Sequence, residues 1–433
     1  MVPHLITALT GPINELEARV LESMPAIERW FRLEWMEHTP PFYTSVDLRN
    51  AGYKLAPVDT ELFPAGFNNL TPEMLPLAVQ AAMAAIEKIC PEAKNLLVVA
   101  GPQAEESNPF YLTHLERLRE VFMLAGLNVR FGSLARTLVK PRTLALPDGG
   151  ELVVEPLVRS RHRLGLANFD PCTILLNDDL VAGVPGLLED VHEQYLLPPL
   201  HASSALRRKS RHFASYEEVA KRFAKLLGMD PWLLHPMHGQ CGQVDFGTAE
   251  GLDCVKSNVD SLLAKVRRKH KEYGIAERAF VVVKSDGPGG SEVLTVRDAK
   301  ELDDPERRER MRRSRAQPAL PVREVIVQEG VPTYERVNDA VAEPVVYMID
   351  RYVVGGFYRV HAARGTDESL DAPGSAYVPL AFAESHQLPR RGAKPGASAP
   401  NRFYMYGVIG RLAMLGAAYE LEATDPEGER EAA

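Results

Sequence analysis

The sequence predicts an α/β protein of two domains, and three observations carry that prediction. Residues 72–180 alternate helix-like and strand-like segments. The length, 433 residues, exceeds what a single core usually serves. A second α/β texture, with its own strands, begins near residue 200. We therefore expect an N-terminal α/β domain over residues 1–200 and a second domain over 201–433.

The elements follow in order. Residues 12–36 read as a pair of amphipathic helices. The stretch "PPFYTSVDLRNAGYKLAPVDTELFPAGFNNL" (40–70) is too apolar for disorder and too interrupted for a long element. It is expected to be an ordered loop or an irregular wrap. From 72 a helix leads to the strand "NLLVVAG" (95–101), and a helix over 111–126 leads to "LNVRFGSL". That order implies right-handed parallel crossovers. "TLALPDGGELVVEP" (143–156) reads as a hairpin turning at Asp148-Gly149-Gly150. "CTILLNDDL" (172–180) is a buried strand whose polar end, Asn177, Asp178 and Asp179, lies where ligands gather in open sheets.

In the second region "FVVVKSDGPGG" (280–290) is a β-branched strand with Lys284 at its end and a glycine-rich loop after it. Residues 301–318 form a charge run in which Glu306/Arg310 and Glu309/Arg313 fall four apart, as on an exposed helix. "LPVREVIVQEGVPT" and "EPVVYMIDRYVVGGFYRVH" supply strands, the second expected to turn at Gly355-Gly356. Residues 384–401 are rich in Pro, Gly, Ser and Arg and are expected to form a mobile loop, before a last helix over 404–423.

Bulk properties narrow the class. A net charge of 50 − 58 = −8 argues against a general nucleic-acid binder. No apolar run approaches the roughly 20 residues a membrane span requires, and the first 20 residues lack a signal-peptide pattern. Cys90, Cys172, Cys241 and Cys254 form no CxxC pair, so reduced thiols in a soluble, cytoplasmic protein are the expectation.

Lys284 poses the central chemical question. A lysine buried at a strand end needs an anion, either an internal carboxylate or a bound phosphate. Its lysine precedes the glycines, so the segment is no P-loop. Downstream come a strand ending in Gln328-Glu329-Gly330-Val331, paired strands carrying Arg359, and the acidic loop "RGTDESLDAPG" (364–374). That order resembles the ATP-grasp fold, in which two lobes clamp ATP. The resemblance implies an ATP-grasp-like C-terminal region behind a pre-ATP-grasp, Rossmann-like N-terminal domain. It further implies Lys284 and Lys209 at the phosphates, and Gly289 and Gly290 in the lid over them. Gln328, Glu329 and Val331 would meet the adenine edge.

Five motifs, "DLRNAGYKLAPVDTELFPAGFNNL", "LLNDDL", "RRKSRHF", "EPVVYMIDRYVVGGFYRVH" and "YGVIGRLAMLGAAYELEATDPE", resemble the proteobacterial glutamate–cysteine ligases first described in acidithiobacilli. The resemblance implies ATP- and Mg2+-dependent joining of the glutamate γ-carboxylate to the cysteine amine through γ-glutamyl phosphate. Such chemistry needs cations and metal more than a nucleophile. The expected partners are glutamate, cysteine and ATP, with a homo-oligomer left open.

For the amino acid, Arg49 offers a bidentate fork to a carboxylate and Asp59 a partner for an ammonium. Asn50, Lys54, Asn68 and Asn69 would add orienting hydrogen bonds, and Glu105 and Asn108 would complete the pocket. The same polar residues could instead satisfy an irregular backbone. Arg359 joins Lys284 as a catalytic candidate. Asp367 and Glu368 are the metal candidates, with Asp371, Glu420 and Glu422 competing. The lid reads Gly287-Pro288-Gly289-Gly290-Ser291-Glu292, which sets a carboxylate beside a triphosphate. Two alternatives follow: a ligase for another carboxylate and amine, or a non-catalytic nucleotide-binding relative.

Overall fold

A computed structural model describes residues 5–6, 12–248, 250–287, 292–313, 322–380 and 403–426. Three large sheets, beside a two-stranded ribbon of Val158–Ser160 and Arg163–Gly165, build the described part of the molecule. The first has six strands in the order Tyr195–Leu197, Thr173–Asn177, Asn95–Ala100, Asn128–Ser133, Glu151–Pro156, Arg142–Ala145. Its members run parallel except at the 142–156 hairpin, as the crossover pattern requires. Leu96 and Val98 bury one face under the helices Leu75–Ile89 and Pro109–Leu124. Leu97 and Val99 bury the other with Ile174 and Leu176. Alternation along one apolar strand thus supplies two cores.

The second sheet is antiparallel and mixes distant parts of the chain. Strand Tyr43–Asn50 pairs with Leu55–Glu61 on one side and with Ala340–Ile349 on the other. Ala340–Ile349 pairs onward with Tyr352–His361. These contacts cross the boundary expected near residue 200. The 40–70 stretch is therefore a hairpin of regular strands, not a loop or wrap. Its polar residues interrupt the apolar pattern because strands alternate faces and one face lines a cleft. Val46 and Leu48 join Val346 and Met348 beneath the helix Phe403–Ala423, whereas Asp47 and Arg49 face a cleft on the opposite side.

The third sheet has four antiparallel strands, His238–Cys241, Val325–Glu329, Val281–Ser285 and Val293–Val296. The helix Asp253–Tyr273 covers one face with Val255, Val259, Leu262 and Val266. Helix Lys209–Leu227 and helix Phe403–Ala423 bridge this lobe to the large sheet. They approach closely because Gly416 has no side chain: a Cβ there would lie 2.9 Å from the Tyr216 Cα.

Three further expectations are corrected. The turn after residue 349 is made by Asp350 and Arg351, while Gly355 and Gly356 lie inside the strand. A Cβ on Gly356 would meet the Val345 carbonyl at 2.4 Å, so close backbone approach, not turning, explains that glycine. The cysteines are not free thiols: Cys90 pairs with Cys172 and Cys241 with Cys254. Separations of 82 and 13 residues hide both pairs from a motif search. In the charge run, which is helical over Pro305–Arg313, Arg310 pairs with Glu292 and Arg312 with Glu309. The expected lid residues Gly289 and Gly290 and the 384–401 segment lie outside the described residues. No described helix is long and apolar enough to cross a membrane.

Candidate active site

A cleft of about 430 Å3 separates the small sheet from the large one. Three strand pairs supply its walls, two from the large sheet and one from the small. From the large sheet, Asp47, Arg49, Asp59, Glu61, Glu343 and Arg359 point inward, each on the face opposite the helical core. From the small sheet come Lys284, Gln328, Glu329 and Val331. Lys209, in the first turn of its helix, reaches in from the side.

The cations meet carboxylates across this gap. Lys209 is ion-paired with Asp59 and stands 3.7 Å from Glu61. Lys284 Nζ donates to the Val58 carbonyl at 2.7 Å and is buried. Burial pulls its pKa down to about 8, with Asp59 resisting and Lys209 adding to the fall. Burial would raise Asp59, but Lys209 and Lys284 outweigh it and hold that carboxyl well below its usual range. Burial pushes Glu61 upward, opposed by Lys209 and reinforced by Asp59. It also lifts Asp47 to about 6 against the pull of Arg359, with Glu343 adding to the rise. Negative charge is thus crowded along the large-sheet wall.

Asp286 ties the two lysines together. Its carboxylate accepts the Ser210 amide and hydroxyl, each at 2.6 Å, and its carbonyl accepts the Lys209 amide at 2.9 Å. The Lys284 strand therefore caps the helix that carries Lys209.

Arg359 Nη1 bridges Asp47 and Glu343, at 2.5 and 2.9 Å. Its Nε is buried without a hydrogen-bond partner. Gln328 is buried on the cleft wall and its Nε2 likewise has no partner. Orphaned donors of this kind mark places where a ligand can complete the bonding.

Other sequence candidates stand elsewhere. Arg49 lines the cleft, but its guanidinium already serves protein acceptors: Glu343 at 2.8 Å and the carbonyls of Val331 and Glu368. Asn50 bonds Glu335 and its own Gly52 amide, and Lys54 is sealed against Glu329. Neither lies on the cleft wall, nor do Asn68 and Asn69, which sit in the 3-10 turn Phe67–Asn69. Asn108 caps the helix Pro109–Leu124 and Glu105 accepts the Ser133 hydroxyl at 2.5 Å, away from the cleft. Asp367 lines the cleft but is ion-paired with Arg297. Glu368 faces an adjoining groove and accepts the Gly365 amide at 2.7 Å. Glu292 also lines the cleft, and Arg310 offsets its charge.

Asp47, Glu61 and Glu343 were missed. The signal was present in Asp47-x-Arg49 and Asp59-x-Glu61, where spacing of two puts both side chains on one face of a strand.

A divalent cation fits this wall. Among the described residues no three His, Cys, Asp or Glu side chains converge into a complete cage. Mg2+ rarely needs one, since phosphate and water oxygens usually fill most of its shell. Asp59 and Glu61 present hard oxygens beside Lys209 and Lys284.

Comparison with known proteins follows the same line. The family model for GshA, glutamate-cysteine ligase, matches residues 17–421. A crystal structure from Methylobacillus flagellatus KT, provisionally assigned as a gamma-glutamylcysteine synthetase, is 51% identical with a TM-score of 0.90. The match covers 98% of this chain and 100% of that one. D-alanyl-alanine synthetase A from Vibrio cholerae O1 biovar eltor matches at 12% identity, over 66% of this chain and 73% of that one. Its TM-score of 0.31 carries no argument. No curated protein matches.

Proposed function

Because this chain belongs to the glutamate–cysteine ligase family, an ATP-dependent family with an ATP-grasp-like α/β fold, we propose that the cleft joins the glutamate γ-carboxylate to the cysteine amine. The product is that of the first step of glutathione synthesis. The observation that carries the assignment of roles is the facing of Lys209 and Lys284 across Asp59 and Glu61.

A carboxylate oxygen is a poor leaving group. Phosphoryl transfer from ATP converts the γ-carboxylate to γ-glutamyl phosphate, which the cysteine amine attacks through a tetrahedral species, releasing phosphate. Lys284 and Lys209 hold the phosphates and offset charge on the transferring group. Gln328 uses its spare N–H to read the nucleotide base. Arg359, with one orphaned N–H, stabilises the oxyanion beside Asp47 and Glu343. Asp59 and Glu61 would hold Mg2+, which would neutralise phosphate charge and orient the triphosphate. Asp367 and Glu368 are the weaker pair for that role, because only Asp367 lines the cleft, while Glu368 faces the adjoining groove and is held by Gly365 and Arg364.

ATP-dependent phosphate release, measured with both glutamate and cysteine present, tests the reading. Turnover that requires both amino acids is expected. No turnover from a folded preparation overturns it, and turnover with another acid and amine reassigns the substrates.

A further inference from the structure

Arg207 and His212 of the "RRKSRHF" motif and Glu420 of the last helix remain without a role in the chemistry above, although they lie behind the acid pair. Arg207 is largely buried, its side chain 11% exposed. Its Nε stands 3.0 Å from Glu420 Oε1, and its Nη2 3.0 Å from Oε2. The remaining Nη1 donates to the Thr60 carbonyl at 2.7 Å. Thr60 is the residue between Asp59 and Glu61. Glu420 is buried, and His212 Nδ1 lies 3.2 Å from its other side. Glu420 does not line the cleft, which excludes it as a direct metal ligand in this arrangement.

We infer that Arg207 and Glu420 are positioning residues that hold the Asp59–Glu61 carboxylates in register for the metal–nucleotide complex. This rests on the proposed metal role of that pair. The physical argument has two parts. A guanidinium fork fixed at one end by a carboxylate sets the angle of the donor it offers at the other end. Here that donor grips the backbone of the strand at the residue between the two acids. Glu420 also keeps the Arg207 charge engaged on the helix side. Without it, the guanidinium is free to turn toward Glu61, whose carboxylate already feels its charge. An arginine drawn onto Glu61 would compete directly with a divalent cation. Outer-shell partners of metal ligands typically change affinity by about 10–100-fold when removed.

The test measures Mn2+ binding by electron paramagnetic resonance in the full-length protein with a non-hydrolysable ATP analogue, so no turnover is involved. Glu420→Gln and Arg207→Lys should each weaken Mn2+ binding about tenfold or more. The double variant should be no worse than the poorer single, as expected of residues acting as a unit. In ligase assays both should raise the Mg2+ concentration for half-maximal rate while the rate at saturating Mg2+ recovers. Thermal melts confirm that each variant is folded. Asp59→Asn separates the two levels of the argument. If it loses Mn2+ and the Arg207 and Glu420 variants do not, the positioning role is overturned. If it keeps Mn2+ binding, the metal reading falls and the positioning role with it.

Discussion

Lys54 and Glu329 form a 2.7 Å ion pair inside the joint between the large and small sheets, with both side chains almost wholly shielded from water. The same carboxylate accepts the Trp232 indole N–H at 2.9 Å and the Met237 amide at 2.9 Å. Lys54 also stands over the Trp232 ring, 4.2 Å from its centroid. A lysine whose position in sequence suggested substrate contact is thus a pin between the two walls of the cleft.

Lys54→Met strands a buried carboxylate and should destabilise the fold by about 3–5 kcal/mol. Urea unfolding measures it. Lys54→Met combined with Glu329→Gln should recover much of that loss, because no uncompensated charge is left.

Lys284→Ala should lower ATP-dependent turnover by about 100–1,000-fold, the usual cost of removing a charged contact to a reacting group. Steady-state kinetics at saturating ATP and amino acids measures this. Activity within a few fold of the parent would remove Lys284 from the phosphate site.

The pH profile follows from the same lysine. Its pKa in the free protein is pulled down to about 8 by burial, so it is a cation below that pH and neutral above it. Only the cation attracts a triphosphate, so kcat/KM for ATP should fall as pH rises through about 8. Lys284→Arg should remove that limb, since a guanidinium stays charged. A limb that persists in the arginine variant belongs to another group.

Gly416→Ala should destabilise the protein by about 1–3 kcal/mol, since the new methyl would sit 2.9 Å from the Tyr216 Cα and neither helix backbone can yield cheaply. Gly407→Ala in the same helix is the control. Its Cβ would meet nothing nearer than 3.4 Å, so the gain in helix propensity of up to about 1 kcal/mol should show. Opposite shifts in melting temperature are the expected result.

Much of the architecture was legible because apolar periodicity is local. The parallel sheet, its helices and the Val281–Val283 strand all announced themselves through runs of Val, Leu and Ile. The hairpin of residues 43–61 did not, because the residues that serve the cleft are polar and break the apolar pattern of a strand. The cations of the site, Lys209, Lys284 and Arg359, were visible through motif order. Asp47 and Glu343 were not, since their importance comes from pairing between strands nearly 300 residues apart in sequence; for Glu61 the only local sign was its spacing of two from Asp59. The disulfides were hidden for the same reason: contact across distance leaves no local signature.

The sheet joined across the chain also has a consequence in time. Strands Tyr43–Asn50 and Leu55–Glu61 are made together, but Ala340–Ile349, the partner of Tyr43–Asn50, follows only after residues 62–339. At about 5–20 residues per second, the delay is roughly 14–56 s. Throughout it the hairpin carries an unpaired strand edge, and Asp47 has neither Arg359 nor Glu343 beside it. Nascent chains of this protein should therefore be catalytically silent and dependent on chaperones, with activity arriving in one late step when the closing strands dock.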